Sequence, residues 1–376
     1  MSKIFVTGIT GLIGSAFSSM ILERNDMEII VLARGSDVVS AQKRVSQVIQ
    51  DQCSFDGKPE LACSILKRIE VIDGDISFMD EIELLERLKG VEVFFHCAAD
   101  VNFGKDPEGR TFRINYEGTK KMLELARKLK IKAFHFVSTA YVAGKYNGMA
   151  LEDELVAEDF NNSYEKSKFM AEQLVRESGI PFTIYRPSIV VGRIQDGRIR
   201  KPLAFYRVLE FLAKLKKHRC SKMQISPAEK VSLNFRLKAS SSDKIYFVPV
   251  DYVQHSIVEI FLNKTVNNKT YHITGNSPVT TEMIEVAVGE ALGINGVTLE
   301  AEVADPNPVE RMVQKCLSDF LPYFSSQIIF DVENTKEALG CPSMTWKMDA
   351  KNLEKVIRGF YSEYYPEVVG YSPFSK

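Results

Sequence analysis

The sequence has little of what would make a membrane, metal or disulfide protein. Among its 376 residues no run of about 18 or more apolar residues occurs, so no transmembrane helix is expected. The six cysteines, Cys53, Cys63, Cys97, Cys220, Cys316 and Cys341, include no C-x-x-C pair. That spacing excludes a zinc knuckle and a thioredoxin-like motif, and reduced, mostly buried thiols are expected. The five histidines, His96, His135, His218, His255 and His272, include no H-x-x-x-H pair, so no metal site is expected. Charge of one sign is missing too: 48 Lys and Arg stand against 49 Asp and Glu, a net charge of -1. No global field favours nucleic acid, and no nucleic-acid partner is expected. A strand-like run begins at Ile4, almost at Met1, which leaves no room for a signal peptide, and a cytoplasmic location is expected.

What is present is an ordinary globular composition, 45% hydrophobic and 26% charged, without internal repeats. At roughly 150 residues per domain the chain has length for two compact domains. In the first half, apolar runs at Lys3–Thr7, Glu28–Ala33, Ile69–Asp73, 93–97, 133–138 and 182–185 alternate with helical patterns at 12–23, 36–50, 79–89, 116–129 and 164–178. Strand and helix in regular alternation predict an α/β fold of the Rossmann type, a doubly wound parallel sheet, with ligands at the carboxyl ends of the strands. Past residue 192 the rhythm breaks. Residues 193–222 carry ten Lys and Arg against Asp196 and Glu210, and Leu203, Val208, Leu209, Leu212 and Leu215 recur at helical spacing, which predicts an amphipathic basic helix. The rest reads as a smaller mixed α/β lobe.

The strongest local signal is Gly8-Ile9-Thr10-Gly11-Leu12-Ile13-Gly14, between the first strand and the first helix. Three glycines there permit a tight turn and close approach of a pyrophosphate to backbone N–H groups at a helix N-terminus. The second strand ends on Ala33-Arg34 rather than on an acid. Arg34, with Lys43 or Arg44 nearby, suits a ribose 2'-phosphate, and Asp37 falls three residues late for a ribose hydroxyl, so NADP(H) is expected over NAD(H). Residues 1–192 are expected to form this NADP-binding domain, with 244–275 returning to it. Residues 193–243 and 276–376 are expected to form a substrate-binding lobe.

Further on, Tyr164 and Lys168 stand four apart on a predicted helix, hence on one face. A nearby ammonium is expected to favour the phenolate and bring the phenol toward useful proton transfer. Upstream, Ser138-Thr139 ends a predicted central strand, where a hydroxyl can share a substrate oxygen with Tyr164.

Taken together, the glycine turn, His96-Cys97-Ala98-Ala99, Asn115, Ser138-Thr139, Tyr164 with Lys168, and Arg186-Pro187-Ser188 resemble the extended short-chain dehydrogenases/reductases in order and spacing. The stretches at 96–103, 137–142, 163–175 and 248–253 look most like the fatty acyl reductase and thioester reductase branch, the male-sterility type. That resemblance implies a cofactor set of Gly8, Thr10, Gly11, Leu12, Ile13, Gly14, Arg34, Arg44, Asp75, Ile76, Ala98, Asn115, Tyr164, Lys168, Pro187 and Ser188. It implies Thr139, Tyr164 and Lys168 as catalytic residues, Ser138 being the neighbour with which Thr139 is most readily confused.

The activity implied is hydride transfer from NADPH to an acyl thioester, giving the aldehyde and, by a second transfer, the alcohol. Tyr164 would donate the proton and Thr139 hold the oxygen. Two other readings keep the fold: a dehydrogenase, reductase or epimerase of a free hydroxyl or ketone, and a non-catalytic NADP(H)-binding regulator. With the chain opening on the first strand, a carrier domain is expected to act in trans. Residues 193–222 then have three readings: a docking site for coenzyme A or an acyl-carrier protein, a solvated helix face, or, fitting less well because Phe205, Tyr206 and Phe211 are its only aromatics, a membrane-surface helix. Residues 224–242 match nothing in the branch, and substrate choice is expected there.

Overall fold

The apolar runs of the first half become the strands of one parallel sheet. The structure, a computed structural model, describes residues 2–36, 38–153, 157–263, 268–275, 277–324, 326–340 and 346–369. Asp37 and Cys341 lie outside the described residues. The sheet strands are β1 (Lys3–Thr7), β2 (Glu28–Ala33), β3 (Ile69–Asp73), β4 (Val91–His96), β5 (Ala133–Val137), β6 (Phe182–Pro187) and β7 (Lys269–Ile273). They pair in the order β7-β6-β5-β4-β1-β2-β3, all parallel. The order reverses at β1, which is the topological switch point of a doubly wound sheet. Central strands such as β1 and β2 are buried along nearly their whole length, as strands covered on both faces must be.

Helices α1 (Leu12–Arg24), α2 (Ala41–Phe55), α3 (Gly118–Lys128) and α4 (Ser163–Arg176) belong to this layer structure. Phe5, Phe94, Phe134 and Phe136 from the strands, with Leu123 and Val175 from the helices, share one core. The second helix was expected at 36–50 and runs Ala41–Phe55 instead, because the Ser40 hydroxyl caps it by accepting from the Lys43 N–H at 3.3 Å.

The chain divides into two compact units. The first comprises Met1–Pro187, Val253–Ile273 and Phe330–Pro342, and the second Ser188–Tyr252, Thr274–Ile329 and Ser343–Lys376. The returning segment was expected at 244–275 and is Val253–Ile273, so 244–252 stay with the second unit, and nothing in the sequence pointed to 330–342. That last piece is tied into the first unit by polar contacts: the Thr335 backbone N–H and hydroxyl both reach the buried Glu152 carboxylate, and the Asp331 carbonyl bonds the His272 ring.

Within the second unit, α5 (Phe205–Met223), α6 (Thr281–Leu292) and α7 (Pro308–Leu317) accompany a parallel strand pair, Val231–Lys238 with Ile294–Glu300. The amphipathic basic helix is therefore present as α5. Lys216 on α5 is fully buried, donating to the carbonyls of Leu292 at 2.5 Å and Val368 at 2.9 Å. Among the described residues no helix is long and apolar enough to cross a membrane.

Candidate active site

The glycine turn has the geometry that its sequence predicts. Gly8 sits at φ +79°, and a Cβ there would lie 2.5 Å from the Ala98 nitrogen and 2.6 Å from the Cys97 carbonyl carbon. A Cβ on Gly14 would lie 2.2 Å from the Gly8 carbonyl oxygen. Only glycine is compatible with both contacts. Gly11 donates to the Gly8 carbonyl at 2.9 Å, and Gly8, Thr10, Gly11 and Ile13 keep part of their surface exposed while Leu12 is buried. The α1 N-terminus has neither a side-chain cap nor an acid in its first turn. A positive helix end without a side-chain cap and a partly exposed backbone cradle together fit a dinucleotide pyrophosphate.

Beyond the cradle, Arg34 is half exposed and pairs with Asp75 at 3.0 Å, while Arg44 donates to the Arg34 carbonyl. Burial raises the Asp75 carboxyl, but the Ser77 N–H at 2.7 Å and the Arg34 guanidinium outweigh it and leave the group below its usual value. Ile76 is buried in the core, facing Gly118, so it presents little surface. The Ala98 N–H donates to the Thr7 hydroxyl at 3.2 Å.

The tyrosine and lysine stand on the buried face of α4. Tyr164, Lys168, Ala171 and Val175 recur at intervals of three and four and are all buried, so this is a core-facing stripe and not a solvated one. Asn162 caps the helix, accepting from the Glu165 N–H at 3.0 Å, and Glu165 reaches back to the Asn161 N–H at 2.8 Å. The Thr139 side chain hydrogen-bonds Tyr164, and its hydroxyl also reaches the Pro187 carbonyl at 3.5 Å. The Phe103 ring meets Tyr164 edge-on at 5.5 Å. Ser138, one residue before Thr139, is buried with a hydroxyl that has no partner. Ser188, the first residue of the second unit, has a buried hydroxyl in the same condition.

Lys168 shares the buried face of α4 with Tyr164. Burial pushes the Tyr164 phenol well above its usual value, opposed by the Thr139 hydrogen bond. The Lys168 ammonium is engaged elsewhere, 2.6 Å from the Val137 carbonyl oxygen and 4.0 Å from the centre of the Phe136 ring. Burial brings its own pKa down to about 8. The phenol is thus held protonated at neutral pH, the state of a proton donor.

Asn115 lies in a π-type turn, Arg113–Glu117, at the entry to α3. Its amide is committed to protein partners: it accepts from the Asp100 N–H at 2.8 Å and donates to the Asp100 carbonyl at 3.1 Å and the Ser167 hydroxyl at 3.0 Å. Ser167 in turn donates to the Tyr164 carbonyl at 2.9 Å. Sequence reasoning missed Ser167, whose only signal is its place between Tyr164 and Lys168. It also missed Phe136 as the ring beneath Lys168, and His96, whose ring bonds Thr7 at 2.7 Å and Thr119 at 3.0 Å and is kept neutral by burial, its pKa down to about 3.

The basic segment is far less bare than its sequence. Arg193 pairs with Asp196, Arg198 with Glu363, Lys214 with Glu210 and Lys217 with Glu367, and Lys216 is buried. Arg207, Arg219 and Lys222 are exposed on α5. The expected burial of the thiols holds for Cys53 and Cys220, whereas Cys63 and Cys316 are exposed; all five described cysteines are free.

Residues 6–257 match the NAD-binding family described as male sterility protein. The chain belongs to that family. Among its relatives, a nonribosomal peptide synthetase of Aspergillus flavus is 26% identical over 295 residues, covering 73% of this chain and 26% of the relative. A putative fatty acyl-CoA reductase of Drosophila melanogaster is 29% identical over 229 residues, covering 51% of this chain and 42% of the relative. The chain thus spans about a quarter of the length of the first of these. The solved terminal R domain from the myxalamid PKS-NRPS pathway superposes with a TM-score of 0.76 at 22% identity, over 97% of this chain and 92% of that one, which establishes the shared fold. A UDP-glucuronic acid 4-epimerase from Bacillus cereus in complex with NAD shares the fold at a TM-score of 0.63 and 19% identity.

Proposed function

We propose that the chain is an NADPH-dependent reductase of acyl thioesters, releasing the thiol and forming the aldehyde, with a second turnover giving the alcohol. The observation that carries this reading is the buried Tyr164 phenol, hydrogen-bonded by Thr139 and held protonated, in a member of the male sterility family. The reductase and synthetase relatives support a thioester in place of a free ketone.

In this reading the backbone of Gly8, Thr10, Gly11, Leu12, Ile13 and Gly14 holds the pyrophosphate. Asp75 and Ile76 border the adenine, and Ala98 and Pro187 border the nicotinamide. Arg34, with donors left over from Asp75, and Arg44 take the 2'-phosphate, which makes NADP(H) the preferred cofactor. A nicotinamide held there would supply a hydride to the thioester carbonyl carbon. Tyr164 gives its proton to the oxygen that becomes negative, Thr139 holds the same oxygen, and the hemithioacetal so formed breaks its C–S bond, its hydroxyl proton returning to Tyr164 and the departing thiolate taking a proton from water. Lys168 supplies a buried positive charge, and Asn115 acts by fixing α4 through Ser167. The second unit is the substrate lobe. Arg207, Arg219 and Lys222 are its cations for coenzyme A phosphates or an acidic carrier.

The test is a panel of acyl-CoA, acyl-carrier-protein, aldehyde and ketone substrates with NADPH, followed by loss of absorbance. Consumption with thioesters is expected. Consumption with ketones and aldehydes but never with a thioester would overturn the reading.

A further inference from the structure

Three pieces of the candidate site meet on one buried imidazole. His96 ends β4 with 1% of its surface exposed, and its ring bridges the end of β1 and the first turn of α3. Nδ1 lies 2.7 Å from the Thr7 hydroxyl, and Nε2 lies 3.0 Å from the Thr119 hydroxyl. A buried histidine with both nitrogens satisfied is ordinarily no more than a core residue. What sets this one apart is where its two partners lead.

Carbonyl oxygens accept and cannot donate, which fixes every proton in the series. The Asn115 carbonyl, 2.6 Å from the Thr119 hydroxyl, takes the only proton that hydroxyl has. Thr119 therefore accepts from His96, and the ring proton sits on Nε2. Nδ1 is left with a lone pair, so the Thr7 hydroxyl gives its proton to the ring. The Thr7 oxygen in turn accepts from the Ala98 N–H at 3.2 Å. One directed chain results, from the Ala98 N–H through Thr7, His96 and Thr119 to the Asn115 carbonyl. Hydrogen bonds that point the same way polarise and strengthen one another at low dielectric.

Both ends of the chain belong to the candidate site. Gly8 packs so closely on Ala98 that a Cβ would lie 2.5 Å from the Ala98 nitrogen, so any displacement of Ala98 reaches the glycine turn. Asn115 holds α4 through Ser167. The middle belongs to it as well: the imidazole stacks on the Phe136 ring at 5.7 Å and 19°, and the Lys168 ammonium lies 4.0 Å from the centre of that same ring. A second ring proton would oppose the Thr7 donor and add a positive charge near Lys168 in a buried place, so the ring stays neutral.

We infer that His96 is a positioning residue of the nucleotide site: its Nε2–H form joins Thr7 and Thr119 into one chain that sets Ala98 and Asn115 together. The inference rests on the nucleotide site proposed above and not on the thioester. Buried as it is, His96 acts through these residues and not on the reacting atoms.

The experiment has two arms on the full chain. In the first, nitrogen-15 NMR of histidine-labelled wild type without nucleotide reads the ring, its signals assigned by their absence from His96→Phe. A proton on Nε2 and none on Nδ1, unchanged between about pH 6 and 8, is expected. In the second, NADPH and NADH affinities are measured by fluorescence titration in Thr7→Val, Thr119→Val, the two together, Thr7→Ser and Thr119→Ser. Valine keeps the shape of threonine without the hydroxyl, and serine keeps the hydroxyl. Each valine is expected to weaken both nucleotides about tenfold, roughly one hydrogen bond, and the double variant no more than either single one. The serines are expected to bind within about threefold of wild type.

A wild-type ring protonated on Nδ1, or titrating in that range, would overturn the inference whether or not a valine variant melts early. Valine variants that bind as wild type, losses that multiply in the double variant, or serines that bind no better than valines would overturn it too. Weakening of NADPH alone would assign the effect to the 2'-phosphate and contradict a chain that ends at Ala98. The expected losses in a protein that reduces no thioester would uphold the chain and sink the proposed activity.

Discussion

Lys168 lies 2.6 Å from the Val137 carbonyl oxygen and 4.0 Å above the Phe136 ring, a buried cation held by the strand that also delivers Thr139. Its pKa is brought down to about 8 by burial, so it carries its charge below that pH and loses it above. kcat/KM for reduction is expected to be level from pH 6 to 7.5 and to fall as pH rises through about 8. Lys168→Arg, which stays charged, should abolish the fall, and Lys168→Met should cost on the order of a hundredfold at pH 7. A profile still rising at pH 9 would contradict this role.

Thr139 and Ser138 are separated by what their hydroxyls already do. Thr139 bonds Tyr164 and the Pro187 carbonyl, whereas the buried Ser138 hydroxyl has no partner. Thr139→Ala should lower kcat by about a hundredfold or more with the melting temperature little changed. Ser138→Ala should be neutral or slightly stabilising, since it removes an unsatisfied buried group, and should leave kcat within a few fold. The reverse ranking in steady-state assays would exchange their roles.

Cofactor choice rests on Arg34. Its charge-assisted contact to a phosphate is worth about 1.5–3 kcal/mol, so Arg34→Ala should weaken NADPH by roughly ten- to a hundredfold and leave NADH nearly unchanged. Fluorescence titration of both nucleotides checks it. Equal losses for the two would remove the 2'-phosphate from the account.

Acid should unfold the protein through its buried histidines. Burial holds His96, His135 and His272 down to about 3, below the usual value of 6.5. The unfolded chain therefore takes up protons that the folded one refuses, and stability falls as pH drops below about 6.5. At pH 5 each costs about 2 kcal/mol. Denaturant melts at pH 7.5 and 5.0 should show the loss, reduced by about one histidine's share in His135→Gln. Equal midpoints at the two pH values would contradict it.

Much of this was legible in the sequence because it is local. The glycine turn follows from φ and from backbone approaches of 2.2 to 2.5 Å that no side chain survives, and Tyr164 with Lys168 follows from helical spacing. What stayed hidden depends on partners far along the chain. Lys216 reads as one more surface cation until the Leu292 and Val368 carbonyls are seen to take it, and Lys217 reads as free charge until Glu367 neutralises it. The place of the lysine's charge was hidden for the same reason. Spacing puts the two on one face, but Val137 and Phe136, 31 and 32 residues upstream, decide where the ammonium goes. Glu172 and Arg186 form a buried pair at 2.6 Å that no pattern in either segment announces.

The central claim is tested most directly by counting thiol. Purified protein is incubated with NADPH and dodecanoyl-CoA, and free coenzyme A is titrated while NADPH is followed by absorbance. The account predicts one thiol released per NADPH oxidised if the aldehyde is the product, or one per two if the alcohol is, and neither change in Tyr164→Phe beyond about a hundredth of the wild-type rate. Oxidation of NADPH with no thiol released, or full activity in Tyr164→Phe, would contradict it.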